Sequence, residues 1–251
     1  SKTQSFNFLF KRLNCYTQIK EYEAADLDAK HCLTLVNEGS VNWFIVSQFY
    51  ILLLFHSGKI QEGFEFYRRV RSIRNKKKSR LEIGKEFWNL IEAFIDYFIQ
   101  IGKIEIQINK RKPRFDSKSF IKSVPTFSKD KRGMNIMILV LQILFLLNEK
   151  EEDEVIERME TLRNYTSRYL RKGDDFRSNC FIKMFLKIPE SNYTRIALER
   201  NTKDLFKKLK SQPLEVAEKP IEMEIIPFEM LWEMVLESLD RKSPRRRKGL
   251  R

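Results

Sequence analysis

Residues 41–74 have the sequence VNWFIVSQFYILLLFHSGKIQEGFEFYRRVRSIR, from which the fold class can be inferred. An apolar run of helical length, 41–57, is followed by Gly58 and then by 60–74, where apolar residues recur at helical spacing. Glycine is typical of a helix C-terminus because it adopts the left-handed conformation without strain. The stretch therefore predicts two helices joined by a tight turn.

Helical spacing continues outward along the rest of the chain. Strand-like alternation is nearly absent, and only 8 glycines and 7 prolines interrupt 251 residues, which argues against sandwich and barrel folds. The sequence therefore predicts an all-α fold class. Within 151–172 the apolar residues follow a period near 3.6, at Val155, Ile156, Met159, Leu162, Tyr165, Tyr169 and Leu170.

The predicted helices come in pairs that resemble one another. The turns at Lys20, Gly58 and Gly102 are 38 and 44 residues apart. A small residue, Ala25 or Gly63, follows the first two turns by five positions and is expected to let two helices approach closely. Self-similarity at this period indicates stacked helical hairpins. We expect about five or six antiparallel pairs with a capping C-terminal helix. The first pairs are 6–18 with 21–36 and 41–57 with 60–74, and a third begins with 81–101.

Two segments resemble a known repeat family. The turn GKI at 58–60, followed by Gly63 and Tyr67, resembles the turn and second helix of a tetratricopeptide repeat, and EYEAA at 21–25 resembles the same part of the preceding unit. The resemblance covers residues 6–104. It implies a right-handed α-solenoid, in which the first helix of each hairpin lines a concave surface that binds a protein or peptide. The contacts implied on that surface are Arg12, Tyr16, Asn42, Gln48 and Asn89.

The C-terminal part has a resemblance of its own. Residues 177–239, which end in EIIPFEMLWEMVLESL, are similar to the closing segment of uncharacterised bacterial helical-repeat proteins, a resemblance that implies no activity. Between the two parts, 105–132 mixes basic residues with two prolines, which indicates an insertion that serves as a partner-binding loop or a spacer. The predicted segments are tetratricopeptide-like hairpins in 1–104, this insertion in 105–132, further hairpins and the capping helix in 133–240, and a basic disordered tail in 241–251.

Positive charge is concentrated in two places. The chain has 48 basic and 34 acidic residues, a formal net charge of +14. Residues 68–80 hold eight basic side chains and 241–251 hold seven, neither with an acid, so the remainder (33 basic, 34 acidic) is nearly neutral. Local clusters of this kind attract nucleic acid or an anionic surface. The alternative to a protein partner is therefore nucleic-acid binding through the basic edge 68–80, with 110–114 and the C-terminal tail. The residues expected to contact phosphates are Arg68, Arg71, Arg74, Lys76, Lys77, Lys78, Lys110, Arg111, Lys112 and Arg114.

The sequence shows no set of residues suited to catalysis. Its two histidines, His31 and His56, stand alone among apolar neighbours, and no nucleotide-binding, zinc-protease or hydrolase motif occurs. Three scattered cysteines without a CxxC indicate buried thiols in a reducing compartment. We therefore expect a cytoplasmic, non-enzymatic interaction protein without catalytic residues, cofactor or metal.

Overall fold

The computed structural model describes residues 2–76, 84–106, 115–123, 132–169, 176–214 and 224–240. In these ranges the regular structure is helical, and consecutive helices pack against each other in pairs, so the predicted all-α class and the pairing are confirmed. The solenoid arrangement and the segment boundaries stay predictions. The helices are α1 (Lys2–Gln18), α2 (Tyr22–Leu35), α3 (Val41–His56), α4 (Ile60–Lys76), α5 (Lys85–Gln100), α6 (Ser117–Lys122), α7 (Arg132–Glu149), α8 (Glu152–Tyr169), α9 (Phe176–Phe185), α10 (Arg195–Lys210) and α11 (Phe228–Asp240).

The chain divides into two compact units. The first holds residues 1–115 together with 213–227, and the second holds 116–212 together with 228–251. Both units are therefore made from separate stretches of the sequence. None of the helices in the described ranges combines the length and apolarity needed to cross a membrane.

The first unit is built around α3. Every side chain of this helix from Val46 to His56 is buried, because α3 packs against α1, α2 and α4. Ser40 caps its start, since the hydroxyl oxygen accepts a hydrogen bond from the backbone N–H of Trp43 at 3.3 Å. Gly58 ends it with φ of +76°. The side chain of His56 contacts the backbone carbonyl of Glu224, which ties the distant 213–227 segment to this helix.

The second unit is built around α7, whose side chains from Ile136 to Leu147 are all buried. One of them is polar: Gln142 donates through Nε2 to the carbonyls of Phe120 and Ser123, at 2.8 and 2.9 Å. These bonds hold the short helix α6 against α7. The carbonyls at the end of α6 therefore satisfy the N–H groups of this buried amide, whereas its buried Oε1 accepts no hydrogen bond.

A buried arginine joins α9, α10 and α11. Arg177 is 1% exposed and donates to the carbonyls of Leu209 and Gln212, at 2.9 and 2.8 Å, at the C-terminal end of α10 and just beyond it. Its other nitrogen, Nη2, bonds Glu229 in the first turn of α11 at 2.6 Å. The Arg177 guanidinium therefore connects the C-terminal end of α10 to the first turn of α11.

Candidate functional site

A surface pocket of about 420 Å³ opens in the first unit between α2, α3 and α4. We call it the α2–α4 pocket. Its volume falls within the range of roughly 300–1,000 Å³ that is usual for ligand sites. Its lining residues are Lys30, Leu33, Thr34, Glu38, Trp43, Tyr50, Phe66 and Arg69.

Aromatic side chains from two helices form the apolar part of the pocket. Trp43 and Tyr50 are seven residues apart on α3, so helical geometry places them on the same face. The ring of Tyr50 meets that of Phe66 on α4 edge-to-face, with centroids 4.8 Å apart and planes at 78°. Both residues of α3 are buried, whereas Phe66 is half-buried and open to the pocket. The rings therefore form a preformed apolar wall.

An aspartate of α2 fixes the polar edge of this wall. Asp26 accepts a hydrogen bond from the Tyr50 hydroxyl at 2.9 Å through Oδ1, and it pairs with Lys30 at 2.6 Å through Oδ2. Burial, together with the nearby carboxylate of Asp26, raises the pKa of Tyr50 well above its usual range. The tyrosine hydroxyl is therefore protonated at physiological pH and is held as a donor to Asp26.

An ion pair lies at the other edge of the α2–α4 pocket. Arg69 of α4 donates through Nη2 to Glu38, in the connection between α2 and α3, at 2.6 Å. Their side chains are 63% and 52% exposed, so water screens the pair and it contributes little to stability. The α2–α4 pocket thus combines an aromatic wall with exposed cations.

A second, smaller pocket of about 230 Å³ lies in the second unit. Three of its lining residues, Lys150, Asn192 and Tyr193, have positive φ angles. Their polar side-chain groups serve the fold: the Lys150 ammonium donates to the Ser238 carbonyl at 2.8 Å, and the Tyr193 hydroxyl donates to the Glu152 carbonyl at 3.3 Å. The residues around this pocket therefore connect α8, α11 and the turn before α10.

The residues predicted to line a concave surface do not form one group. Arg12 pairs with Asp28 of α2 at 2.7 and 2.6 Å, and its guanidinium lies 5.7 Å from the centroid of Tyr16, so these two predicted residues are together on α1. Asn42 and Asn89 are exposed on α3 and α5.

Gln48 behaves differently from the other predicted contacts. It is 5% exposed, and it cannot contribute to a surface because it packs beside Gly84 at the start of α5. Helical spacing alone does not distinguish a core position from a groove position on α3. Because the Gln48 side chain is polar, the sequence indicates a surface position.

The described arginines of the basic segment contact acids and rings of the first unit. Arg68 pairs with Glu65 at 3.2 Å, and Arg71 lies 3.9 Å from Glu92 on α5. The Arg74 guanidinium lies 5.0 Å from the Trp88 ring centroid, and burial lowers the pKa of Arg74. The side chain of Lys76 is not described. Outside the described residues lie Lys77, Lys78, Lys110, Arg111, Lys112 and Arg114.

Among the side chains that the structure describes, no group of three or more histidine, cysteine or carboxylate residues could hold a metal ion. His31 is exposed on α2, and His56 is buried in α3.

No family model, curated protein or solved structure matches the chain. The function is therefore inferred from the all-helical fold and the chemistry of the α2–α4 pocket.

Proposed function

We propose that this protein is a non-enzymatic scaffold that binds a peptide, or an exposed segment of another protein, in the α2–α4 pocket. The observation that carries the proposal is the pocket itself, with Trp43, Tyr50 and Phe66 as an apolar wall and Lys30, Glu38 and Arg69 around it. Protein interfaces have the same composition, an aromatic-rich centre surrounded by a polar rim that excludes water.

This site differs from the surface that a tetratricopeptide-like solenoid uses. The resemblance implies contacts on the first helix of each hairpin, whereas the pocket is bounded by the second helices, α2 and α4, with α3 between them. We keep the helical-repeat class as part of the proposal, because α1 to α4 pack as consecutive pairs. The binding surface that we propose is formed by the second helices α2 and α4 together with Trp43 and Tyr50 of α3.

The proposal is tested by selecting peptides from a random displayed library on the immobilised protein. Thr34 lines the pocket and is exposed, so Thr34→Trp fills the pocket without changing the core. Thr161 on α8 is an exposed helical threonine that likewise donates its hydroxyl to the preceding turn, and Thr161→Trp is the matched control. Circular dichroism establishes that both variants fold.

We expect peptides that bind the wild-type protein and Thr161→Trp equally but lose at least about tenfold in affinity for Thr34→Trp, as blocking a central anchor position does. Peptides that bind all three proteins equally would place the interaction elsewhere and contradict the proposal. Failure to select any peptide would contradict it as well.

A second proposal, nucleic-acid binding, is supported by charge. Residues 68–80 carry eight basic side chains and no acid. Binding through this segment should weaken steeply between low and high salt because phosphate contacts release counterions. Fluorescence anisotropy with a labelled single-stranded oligonucleotide measures this, with charge reversal at Arg71, Arg74 or Lys77. A flat response to salt, or an unchanged affinity of Arg71→Glu, would exclude the proposal.

A further inference from the structure

The short helix α6 belongs to the second unit but contributes no buried side chain to it. It has six residues, and all of its side chains are exposed or half-buried. An isolated helix of this length is not stable in water, because too few hydrogen bonds form to offset the cost of the first turn. Contacts with neighbouring helices therefore keep α6 folded.

Two side chains of those helices bind the backbone at the end of α6. Gln142 of α7 donates through Nε2 to the carbonyls of Phe120 and Ser123, at 2.8 and 2.9 Å. Arg158 of α8 donates through Nη2 to the carbonyl of Ile121 at 3.0 Å. Water can replace each of these bonds when α6 moves away, so the net contribution of each bond is small.

Gln142 is unusual for its place in the core. The other side chains of α7 from Ile136 to Leu147 are apolar, whereas Gln142 is polar, fully buried, and has an Oε1 that accepts no hydrogen bond. A buried acceptor without a donor is destabilising because it has lost its bonds to water. Moving α6 away would let water reach both ends of this amide. Glutamine therefore suits a position that is covered in one state and hydrated in another.

We infer that α6 is a reversible cover on α7. It opens by local unfolding while α7 and α8 stay folded, as segments with few buried contacts do. Opening uncovers the Gln142 amide and the side of the Phe145 ring that Phe120 contacts edge-to-face, with centroids 6.1 Å apart. The open state thus presents an amide beside an aromatic ring, a surface that the closed state hides. This device lies in the second unit, whereas the α2–α4 pocket lies in the first.

Native-state hydrogen exchange of the whole chain distinguishes local opening from unfolding of the unit. The backbone N–H groups of Phe120 and Ser123 bond the carbonyls of Asp116 and Phe120, at 3.0 and 3.1 Å. After correction for intrinsic rates, we expect them to exchange at least about tenfold faster than those in the middle of α7. Low urea should leave the α6 rates unchanged, because local opening exposes little surface. Equal rates in α6 and α7, with the same urea dependence, would overturn the inference.

Two variants test the bonds that close the cover. Gln142→Met and Arg158→Met should each raise the exchange rate in α6, relative to that in α7, by at least about fivefold, the effect expected when hydrogen bonds are removed. Arg163 is exposed on α8, and Arg163→Met is the matched control that should leave this ratio within about twofold. Circular dichroism establishes that the variants fold. An unchanged ratio in both test variants, or an equal rise in the control, would overturn the inference.

Discussion

A Cβ atom at position 63 would lie 2.7 Å from Cε1 of Phe55 and 2.9 Å from its Cδ1. Gly63 is buried in α4, and Phe55 is fully buried in α3. The Phe55 ring is itself held by Phe98 of α5, with centroids 5.5 Å apart and planes at 84°. A side chain at position 63 would therefore force the Phe55 ring to shift, and glycine allows α4 to approach α3 closely.

Gly63→Ala should lower the free energy of unfolding by about 1–3 kcal/mol, because the added methyl group overpacks the contact with Phe55. This destabilisation is opposite in sign to the helix-propensity effect, which favours alanine over glycine by about 1 kcal/mol. Urea denaturation followed by circular dichroism measures it. Phe55→Leu combined with Gly63→Ala should recover part of the loss relative to the sum of the single changes. A stabilised Gly63→Ala protein would contradict the steric reason.

Replacing the buried Arg177 should be far more costly than replacing an exposed basic residue. Arg177→Met removes the guanidinium that bonds the Glu229 carboxylate and the carbonyls of Leu209 and Gln212, and we expect the free energy of unfolding to fall by about 3–5 kcal/mol. Arg177→Lys should recover little, since an ammonium cannot reproduce the planar fork. Thermal and urea unfolding provide the measurement.

The control for Arg177 is an exposed ion pair of the same unit. Lys187 pairs with Glu190 at 2.6 Å, and both side chains are more than 40% exposed. Lys187→Met should change the unfolding free energy by less than about 1 kcal/mol. Equal effects of Arg177→Met and Lys187→Met would show that burial of the guanidinium does not matter.

The three cysteines should differ sharply in thiol reactivity. Cys15 is exposed on α1, whereas Cys32 and Cys180 are buried, and burial raises the pKa of both buried thiols. Thiolate, not thiol, is the reactive form. At pH 8 the folded protein should therefore show one rapidly reacting group with Ellman's reagent, and the urea-unfolded protein three. Cys15→Ser should remove the rapid phase; if it persisted, a buried thiol would be accessible.

Cys32 also makes stability depend on pH in the alkaline range. Burial raises its pKa from 9.0 to about 11, so the unfolded chain loses this proton before the folded protein does. The resulting stabilisation is complete below pH 9 and is lost as the pH rises to 11, by about 1 kcal/mol at pH 10. Urea unfolding at pH 8 and pH 10 measures the decrease.

Cys32→Ala provides the comparison for this pH dependence. Its absolute stability can differ because a buried side chain becomes smaller, but its decrease between pH 8 and pH 10 should be smaller by the Cys32 contribution. Parallel decreases in the two proteins would assign the alkaline loss to other groups, such as Tyr67, whose pKa is also raised by burial.

The sequence contains enough information to predict the helices, because their signals are local. Apolar spacing predicted 41–57 and 60–74, and the structure has α3 at Val41–His56 and α4 at Ile60–Lys76. Gly63, predicted from its position as a small residue for close packing, has that role against Phe55. Each of these features depends on residues within one or two helical turns.

The pocket could not be predicted because it depends on how helices are placed in space. Phe66 has ordinary core spacing in α4, and only the packing of α2 and α4 beside α3 leaves it open to solvent. Arg177 has the sequence appearance of a surface residue, and its burial arises from carbonyls of Leu209 and Gln212, more than thirty positions away. No local pattern connects such partners.

The two-part composition of the first unit has a consequence for synthesis on the ribosome. Its helices α1 to α5 emerge early, but 213–227, including the carbonyl of Glu224 that His56 contacts, emerges after most of the second unit. At about 5–20 residues per second, translating from residue 115 to residue 227 takes roughly 6–22 seconds. During that interval the first unit lacks this segment, and the buried His56 side chain lacks its contact with the Glu224 carbonyl.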